Sequence, residues 1–245
     1  MKYSPYSFSK ISYFDTCAHK FKLQYIDEIK VPFTMNFALK KGKYVHEYIE
    51  NDLVGKPLPL IKEDMGEPEE VRSVKKLIES LYDNNNYQTI KKTVKNSDDF
   101  HIELGIGFDE NWNPTTYEDA VLFRGFIDLY LIKGDFGVII DHKTGKFKEK
   151  QDFSQNEIYS LWLMKAIPTL EKVKLMFHYV EHDKMNIKVV TRDDMEYIEN
   201  KFKQKLNLAE TEEKFEKSIT KLCLYCDFYN HGFCKLSDSE MLSIL

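Results

Sequence analysis

The stretch RGFIDLYLIKGDFGVIIDHKTGK, from Arg124 to Lys146, places one carboxylate in each of two apolar runs. Asp128 lies inside FIDLYLI, and Asp141 ends GVIID. A buried or half-buried carboxylate is costly in free energy unless something pairs with it. We therefore expect the two aspartates to have a functional reason for their positions.

The turn between the two runs brings these aspartates together. LIKGDFG is a turn signal, and Gly134-Asp135 suits a two-residue hairpin loop with glycine at its first position. In that register Asp128 falls directly opposite Asp141, where Cβ atoms are about 4.5–5.5 Å apart. Lys143 follows two residues later and shares the face of Asp141. The sequence thus predicts two carboxylates and an ammonium group at one point.

Two opposed carboxylates suit a hard divalent cation such as Mg²⁺, which fills its other positions with water and phosphate oxygens. Such a cation lowers the pKa of a bound water and stabilises charge on a phosphoryl oxygen. Lys143 could orient that water or neutralise the charge that develops on the phosphate. The alternative is an ordinary edge hairpin with two solvated aspartates and a surface lysine.

The composition predicts a soluble protein with one substantial core. The chain has 245 residues, of which 42% are hydrophobic and 31% charged. It contains no apolar run of membrane-spanning length, and MKYSPYSFSK is not a secretory signal, so we expect a cytoplasmic protein without membrane contact. A GxxxxGK[ST] phosphate loop is absent from the sequence, so no nucleotide cofactor is expected.

The formal net charge of −5 does not point to nucleic acid, so any DNA-binding surface must be a local patch. Two lysine clusters, one around Gly42 and one that begins at Lys143, could track a phosphate backbone. The alternative is that they are solvated helix and loop lysines. The clusters are Lys40, Lys41 and Lys43, and Lys143, Lys146, Lys148 and Lys150.

Hydrophobic periodicity predicts a mixed α/β fold in one domain, residues 1–245. We expect a mainly helical part over 1–98, a central mixed sheet flanked by helices over 99–191, and a C-terminal helix with a cysteine-rich segment over 192–245. Residues 55–70 read as a loop. Helices are predicted over 7–26, 37–53, 69–84, 154–167 and 192–217, and strands over 100–109, 120–132, 136–141, 172–183 and 185–191, the last two turning near Asp183-Lys184.

The four cysteines form a one-plus-three grouping. Cys223-x-x-Cys226 and Cys234 lie near the C-terminus, and Cys17 lies near the other end of the chain. This spacing is typical of ligands to zinc or to an iron–sulfur cluster. Reduced core cysteines are the alternative, and spacing does not separate zinc from a cluster.

Three motifs resemble the PD-(D/E)XK nuclease superfamily, in particular its RecB-type branch. FID followed by DHKTG resembles that branch's catalytic pattern, SQNEIYSLW resembles its QxxxY motif, and GKYVH resembles its GxxxH motif. The resemblance implies a restriction-endonuclease-like fold, catalysis dependent on Mg²⁺ or Mn²⁺, and DNA as the substrate. The catalytic residues it implies are Asp128, Asp141, Lys143, Gln155 and Tyr159, and the metal ligands are His46, Asp128, Asp141 and the backbone carbonyl of His142.

The cysteines resemble those of the iron-staple group, which includes the AddB nuclease domain and CRISPR-adaptation nucleases. The resemblance implies a structural [4Fe-4S] cluster on Cys17, Cys223, Cys226 and Cys234 that joins the two ends of the chain, with zinc as a less favoured substitute. Two positions depart from the group's pattern. Ala18 stands where the group has proline, and Leu129 stands where many relatives have arginine.

The resulting functional expectation is a metal-dependent DNA exonuclease acting on single strands or DNA ends in recombination, repair or replication. A helicase or recombination partner could supply the free end. Two alternatives remain open at this point. One is a structure-specific endonuclease with zinc on its cysteines, and the other is a DNA-binding accessory protein with little activity.

Overall fold

The structure is a computed structural model that describes residues 1–32, 35–62 and 65–244. Within these residues the predicted mixed α/β architecture is confirmed, with a mixed sheet flanked by helices. The α-helices are α1 (Phe8–Thr16), α2 (Ala18–Tyr25), α3 (Phe37–Val54), α4 (Pro68–Leu81), α5 (Asn85–Asn96), α6 (Ser154–Ala166), α7 (Met195–Thr211), α8 (Asp227–Asn230) and α9 (Asp238–Leu242). The strands are β1 (Asp99–Phe108), β2 (Pro114–Thr116), β3 (Phe123–Lys133), β4 (Phe136–Lys143), β5 (Lys172–Tyr179) and β6 (Lys184–Thr191).

Polar caps start three of the N-terminal helices. The side chains of Ser7, Asn36 and Asn84 accept hydrogen bonds from backbone N–H groups at the starts of α1, α3 and α5. The sequence predicts one or two helices over 7–26, and the extended Cys17, with φ −165° and ψ 111°, divides this stretch into α1 and α2. The two ends of this stretch therefore pack as separate short helices.

Helix α5 was missed by the sequence prediction. It begins with three asparagines, which favour caps and turns over helix interiors, and it buries only Tyr87, Ile90 and Val94. The strand β2 was also missed, because three residues are too few for a period to be seen. Of the predicted loop over 55–70, Pro68 already begins α4, and residues 63 and 64 lie outside the described residues.

The strand order in the sheet is β2-β1-β3-β4-β5-β6. β4 and β5 are parallel and the other neighbours are antiparallel. Helix α6 makes the crossover that a parallel pair requires. A single 3-10 turn over Val180–His182 connects β5 to β6, so β5 ends four residues before its predicted end. Helix α7 ends at Thr211, six residues before its predicted end.

The predicted hairpin register is confirmed over five pairs, from Lys133–Phe136 to Leu129–Ile140. The ladder between β3 and β4 stops there, although both strands continue. Asp128 and Asp141 are the next residues on the two strands. The predicted opposition therefore falls where β3 and β4 begin to separate.

Different helices cover the two faces of the sheet. Apolar residues of α1, α6 and α7 pack with Tyr130, Ile139 and Val173 on one face. Helix α5 packs with Leu129, Leu131, Val138 and Ile140 on the other, where Leu53 of α3 also contributes. No helix of the described residues is both long enough and apolar enough to cross a membrane.

The side-chain alternation of β1 and β3 changes phase at one shared point. On β1, Ile102 packs on the α5 face but Leu104, two residues later, packs on the α6 face. On β3, Ile127 packs on the α6 face but Leu129, two residues later, packs on the α5 face. Regular alternation would put residues i and i+2 on the same face. The phase change lies between these pairs, at Glu103 and Asp128.

Candidate active site

The site lies in the fork between β3 and β4. Oδ2 of Asp128 accepts a hydrogen bond of 3.0 Å from the backbone N–H of His142, across the gap left where the ladder stops. This bond keeps the Asp128 carboxylate beside the end of β4. Where β3 and β4 separate, the Asp128 side chain thus takes the place of a backbone carbonyl as the acceptor for a backbone N–H of β4.

Asp141 and Lys143 form an ion pair on the α6 side of the fork. Nζ of Lys143 lies 2.7 Å from Oδ1 and 2.8 Å from Oδ2 of Asp141. Burial, followed by the charge of Asp128, raises the pKa of Asp141 to about 7, and Lys143 and His46 act in the opposite direction. A cation bound beside Asp141 would therefore favour the ionised form of this carboxyl group.

His46 approaches the fork from α3. Its Nε2 lies 2.7 Å from the carbonyl oxygen of His142, and its Nδ1 lies 3.5 Å from Oδ2 of Asp128. A carbonyl oxygen only accepts, so Nε2 carries the hydrogen in this bond. In the neutral ring, Nδ1 then presents a lone pair toward a carboxylate oxygen. A cation bound between Nδ1 of His46 and Oδ2 of Asp128 would accept a lone pair from each atom.

The ring of His142 lies in the core and its carbonyl faces the site. Its Nδ1 is 3.0 Å from Nδ1 of His178, and both rings are almost wholly buried. Burial, with the neighbouring imidazole of His178, lowers the pKa of His142 well below its ordinary value, and burial lowers that of His178 to about 4. His142 can therefore offer the site its backbone oxygen, the atom predicted from the sequence.

Glu103 is a site residue that sequence reasoning missed. Ligand atoms of His46, Glu103 and Asp128 all lie within 4.8 Å of one another, as a shared metal ion requires. Glu103 has a φ of 49° inside β1, a left-handed conformation that costs a non-glycine residue about 1–2 kcal/mol. The signal that could have found it is register, because Glu103 stands opposite Asp128 once β1 and β3 are aligned.

A second carboxylate, that of Glu50 of α3, lies beside Glu103 at the same cavity. Partial burial and the charges of Asp128 and Glu50 raise the pKa of Glu103 to about 8, and burial also raises the pKa of Glu50. Four carboxyl groups thus crowd one histidine, and a divalent cation is the natural counter-charge.

A cavity of about 600 Å³ leads to this cluster from α3 and the end of β4. Gly42 of α3 faces Thr144 beyond the end of β4, and a Cβ there would make only an ordinary contact, 3.4 Å from Oγ1 of Thr144. Of the predicted lysine clusters, Lys43 lines this cavity, and Lys41 is paired with Glu181. The cavity is also lined by Leu39, Glu47 and Glu103.

Gln155 and Tyr159 share one face of α6, as their spacing predicted. Nε2 of Gln155 donates to the Tyr159 hydroxyl at 3.2 Å. The phenol lies against Gly125 of β3, where a Cβ would be 2.7 Å from the hydroxyl oxygen. Burial raises the pKa of Tyr159 to about 12, so it remains a neutral hydrogen-bonding group beside the fork.

The four cysteines line a single cavity of about 190 Å³, so the fold brings the two ends of the chain together. All four are free thiols, and the backbone N–H of Ser218 donates to Sγ of Cys17 at 3.4 Å. In a tetrahedral zinc site with Zn–S bonds of about 2.3 Å, the sulfurs are roughly 4 Å apart. Among the described residues no three cysteine sulfurs lie within 4.8 Å of one another. A metal cluster that joins the termini thus stays a prediction.

Comparison with known proteins is consistent with this geometry. A family model described as the PD-(D/E)XK nuclease superfamily matches residues 5–231. The search of curated proteins found no significant match. Sixteen chains of known structure match. One of them, titled "Crystal structure of SSO0001", is 14% identical with a TM-score of 0.32, and the match covers 90% of this chain and 96% of that one.

Proposed function

The chain belongs to the PD-(D/E)XK nuclease superfamily, a superfamily of metal-dependent nucleases, and from this premise we propose that it is a DNA exonuclease. We propose that it hydrolyses phosphodiester bonds on single strands or at DNA ends. The observation that carries the proposal is the fork itself, where Asp128, Asp141 and Lys143 meet in a chain that the family model matches over residues 5–231.

The donor set fits a divalent metal ion. Carboxylate and carbonyl oxygens with one imidazole suit Mg²⁺ or Mn²⁺, and we assign as ligands His46, Glu103, Asp128, Asp141 and the carbonyl of His142. When bound, such a cation supplies Lewis-acid stabilisation of the phosphate and lowers the pKa of water. The crowding of carboxyl groups around His46 supports a site built to be completed by a cation.

The chain's own residues then have distinct tasks. Lys143 lies against Asp141 and can turn its ammonium toward an incoming phosphate, where it would offset developing negative charge. Gln155 and Tyr159, on the α6 side, would hold the nucleotide through neutral hydrogen-bonding groups. A bound cation would lower the raised pKa values of Glu50 and Glu103, because it stabilises the ionised form of each carboxyl group.

The cysteine cavity supports a separate structural proposal. We infer that Cys17, Cys223, Cys226 and Cys234 hold a [4Fe-4S] cluster, with zinc as the alternative. The observation that supports a shared group is that all four cysteines, from both ends of the chain, line one cavity. A brown anaerobic preparation with acid-labile sulfide is expected, and stoichiometric zinc without sulfide would contradict the cluster.

A nuclease assay tests the substrate proposal. End-labelled linear single-stranded DNA and a closed single-stranded circle are incubated with the protein in Mg²⁺ or Mn²⁺. Degradation of the linear strand alone is expected, and Asp141→Ala should abolish it. Asp135→Ala is the matched control, since Asp135 is an exposed aspartate of the same hairpin outside the fork. Cleavage of the circle would identify an endonuclease, and intact linear DNA would overturn the exonuclease proposal. We also propose that a helicase or recombination partner supplies the free ends.

A further inference from the structure

An exposed phenylalanine lies two residues from Asp128 on β3. Gly125 faces Tyr159 of α6 and Ile127 packs with the α6 face, so the side chain of Phe126 between them points to the opposite face of the sheet. It is 46% exposed and belongs to none of the hydrophobic clusters. Phe126 therefore presents an aromatic ring to solvent about 7 Å along the strand from the fork.

A tyrosine and an arginine extend this ring into a continuous surface. The ring centroids of Tyr117 and Phe126 are 4.6 Å apart, with 37° between the planes. The guanidinium carbon of Arg124 lies 4.7 Å from the centroid of Tyr117. We name Phe126, Tyr117 and Arg124 the aromatic platform. Its two rings and planar cation are the groups on which nucleobases stack.

The opposite strand leaves room for the platform. A Cβ on Gly105 would lie 2.8 Å from Cβ of Tyr117 and 3.3 Å from Cε1 of Phe126. Glycine at this position of β1 therefore lets Tyr117 lie flat against the sheet beside Phe126. Gly105 is two residues from Glu103, so the platform borders the carboxylate cluster on both strands.

The platform itself carries one positive charge, that of Arg124. The ion pairs found among the described residues give Arg124 no carboxylate partner. A guanidinium beside two aromatic rings suits a polyanion whose bases are accessible.

We propose that the aromatic platform stacks with a base of single-stranded DNA adjacent to the phosphate held in the fork. This inference rests on the proposed nuclease function and deepens it, because it names the feature that selects single strands. In a duplex the bases are already stacked on one another and cannot lie on Phe126. The platform would thus favour unpaired ends and contribute little to duplex binding.

Binding measurements with Ca²⁺ in place of Mg²⁺ test the platform. The first probe is a fluorescein-labelled oligothymidylate of 12 nucleotides. The second is a series of oligothymidylates of the same length, each with one abasic position at a different place, and the third is a duplex of the same length. Loss of one stacked base reduces affinity by roughly tenfold, so Phe126→Ala and Phe126→Leu should bind the single strand about tenfold more weakly. Phe126→Trp should retain the affinity and show quenched indole fluorescence on binding.

The controls separate the two proposals. Tyr197→Ala removes an aromatic ring of α7 that is 68% exposed, more than Phe126, and this variant should bind like the wild type. One abasic position should weaken wild-type binding but not that of Phe126→Leu. Equal single-strand affinity of Phe126→Leu and wild type would overturn the platform while leaving the nuclease proposal intact. Failure of the wild-type protein to bind any of the probes would overturn both proposals.

Discussion

Glu103 stands opposite Asp128 in the register of β1 and β3, and this is the single pair that the ladder omits between Asp99–Ile132 and Phe108–Phe123. Both strands change the phase of their side chains at this pair. On the other side of β3, Asp141 of β4 lies opposite Asp128 across the fork. Three neighbouring strands therefore each contribute a carboxylate to one place, and the left-handed backbone at Glu103 is part of that arrangement.

Removing the Glu103 carboxylate should weaken metal binding. Glu103→Gln keeps the size of the side chain but loses an anionic ligand, so Mn²⁺ affinity should fall about tenfold or more. Titration of Mn²⁺ followed by electron paramagnetic resonance measures this directly. Glu110→Gln, on an exposed turn, is the control and should bind as the wild type does. Unchanged affinity of Glu103→Gln would exclude Glu103 from the metal site.

The metal-free protein should become less stable as the pH rises. The pKa values of Glu103 and Asp141 are raised to about 8 and about 7, so both groups bind protons more tightly in the folded state than in the unfolded state. The buried rings of His142 and His178, whose pKa values are lowered, act in the opposite direction below about pH 6.5, so the free energy of unfolding should fall mainly between about pH 6.5 and pH 8. Urea denaturation in a chelating buffer at several pH values measures the slope.

One variant and one added ion identify which groups cause the pH dependence of the free energy of unfolding. Glu103→Gln should flatten the slope, because one of the two raised carboxyl groups is gone. Saturating Mg²⁺ should stabilise the protein more at pH 8 than at pH 5, because protons and metal compete for the same oxygens. A stability that rises steadily with pH in the chelating buffer would be incompatible with these pKa values.

A methyl group on Gly125 should disturb Tyr159. The added Cβ would lie 2.7 Å from the buried hydroxyl, so Gly125→Ala should lower the free energy of unfolding by about 1–3 kcal/mol. It should also reduce the cleavage rate, because Tyr159 and Gln155 would shift from the fork. Gly145→Ala is the matched control for stability, since its Cβ would meet nothing within 4 Å. Equal thermal melting of both variants would contradict the close contact.

Loss of Cys17 should destabilise the entire domain. A cluster that links Cys17 to Cys223 closes a loop of about 200 residues, and such a closure contributes about 5 kcal/mol by loop entropy. Cys17→Ser should lose visible absorbance and be digested faster by chymotrypsin. Ser218→Ala removes a neighbouring side chain without a thiol and should keep both properties. Identical digestion of Cys17→Ser and wild type would argue against a structural cluster.

The hairpin around Asp128 and Asp141 was predictable because the turn chemistry of Gly134-Asp135 sets its register without distant contacts. Gln155 and Tyr159 were predictable for the same reason, since spacing along one helix is local. Glu103 was not, because its place depends on how β1 aligns with a strand twenty-five residues away along the chain. Likewise, the aromatic platform depends on a phase change in β3 that an alternating pattern does not predict.

The most direct test of the account is a cleavage assay in which Mn²⁺ is titrated against 5′-labelled linear single-stranded DNA. Wild-type protein and Asp135→Asn should both cleave, at a metal concentration that matches the Mn²⁺ binding midpoint. Asp141→Asn should remain folded and show no cleavage at any metal concentration. Cleavage by Asp141→Asn at the wild-type rate, or wild-type cleavage that persists in excess chelator, would contradict a metal-dependent active site at the fork between β3 and β4.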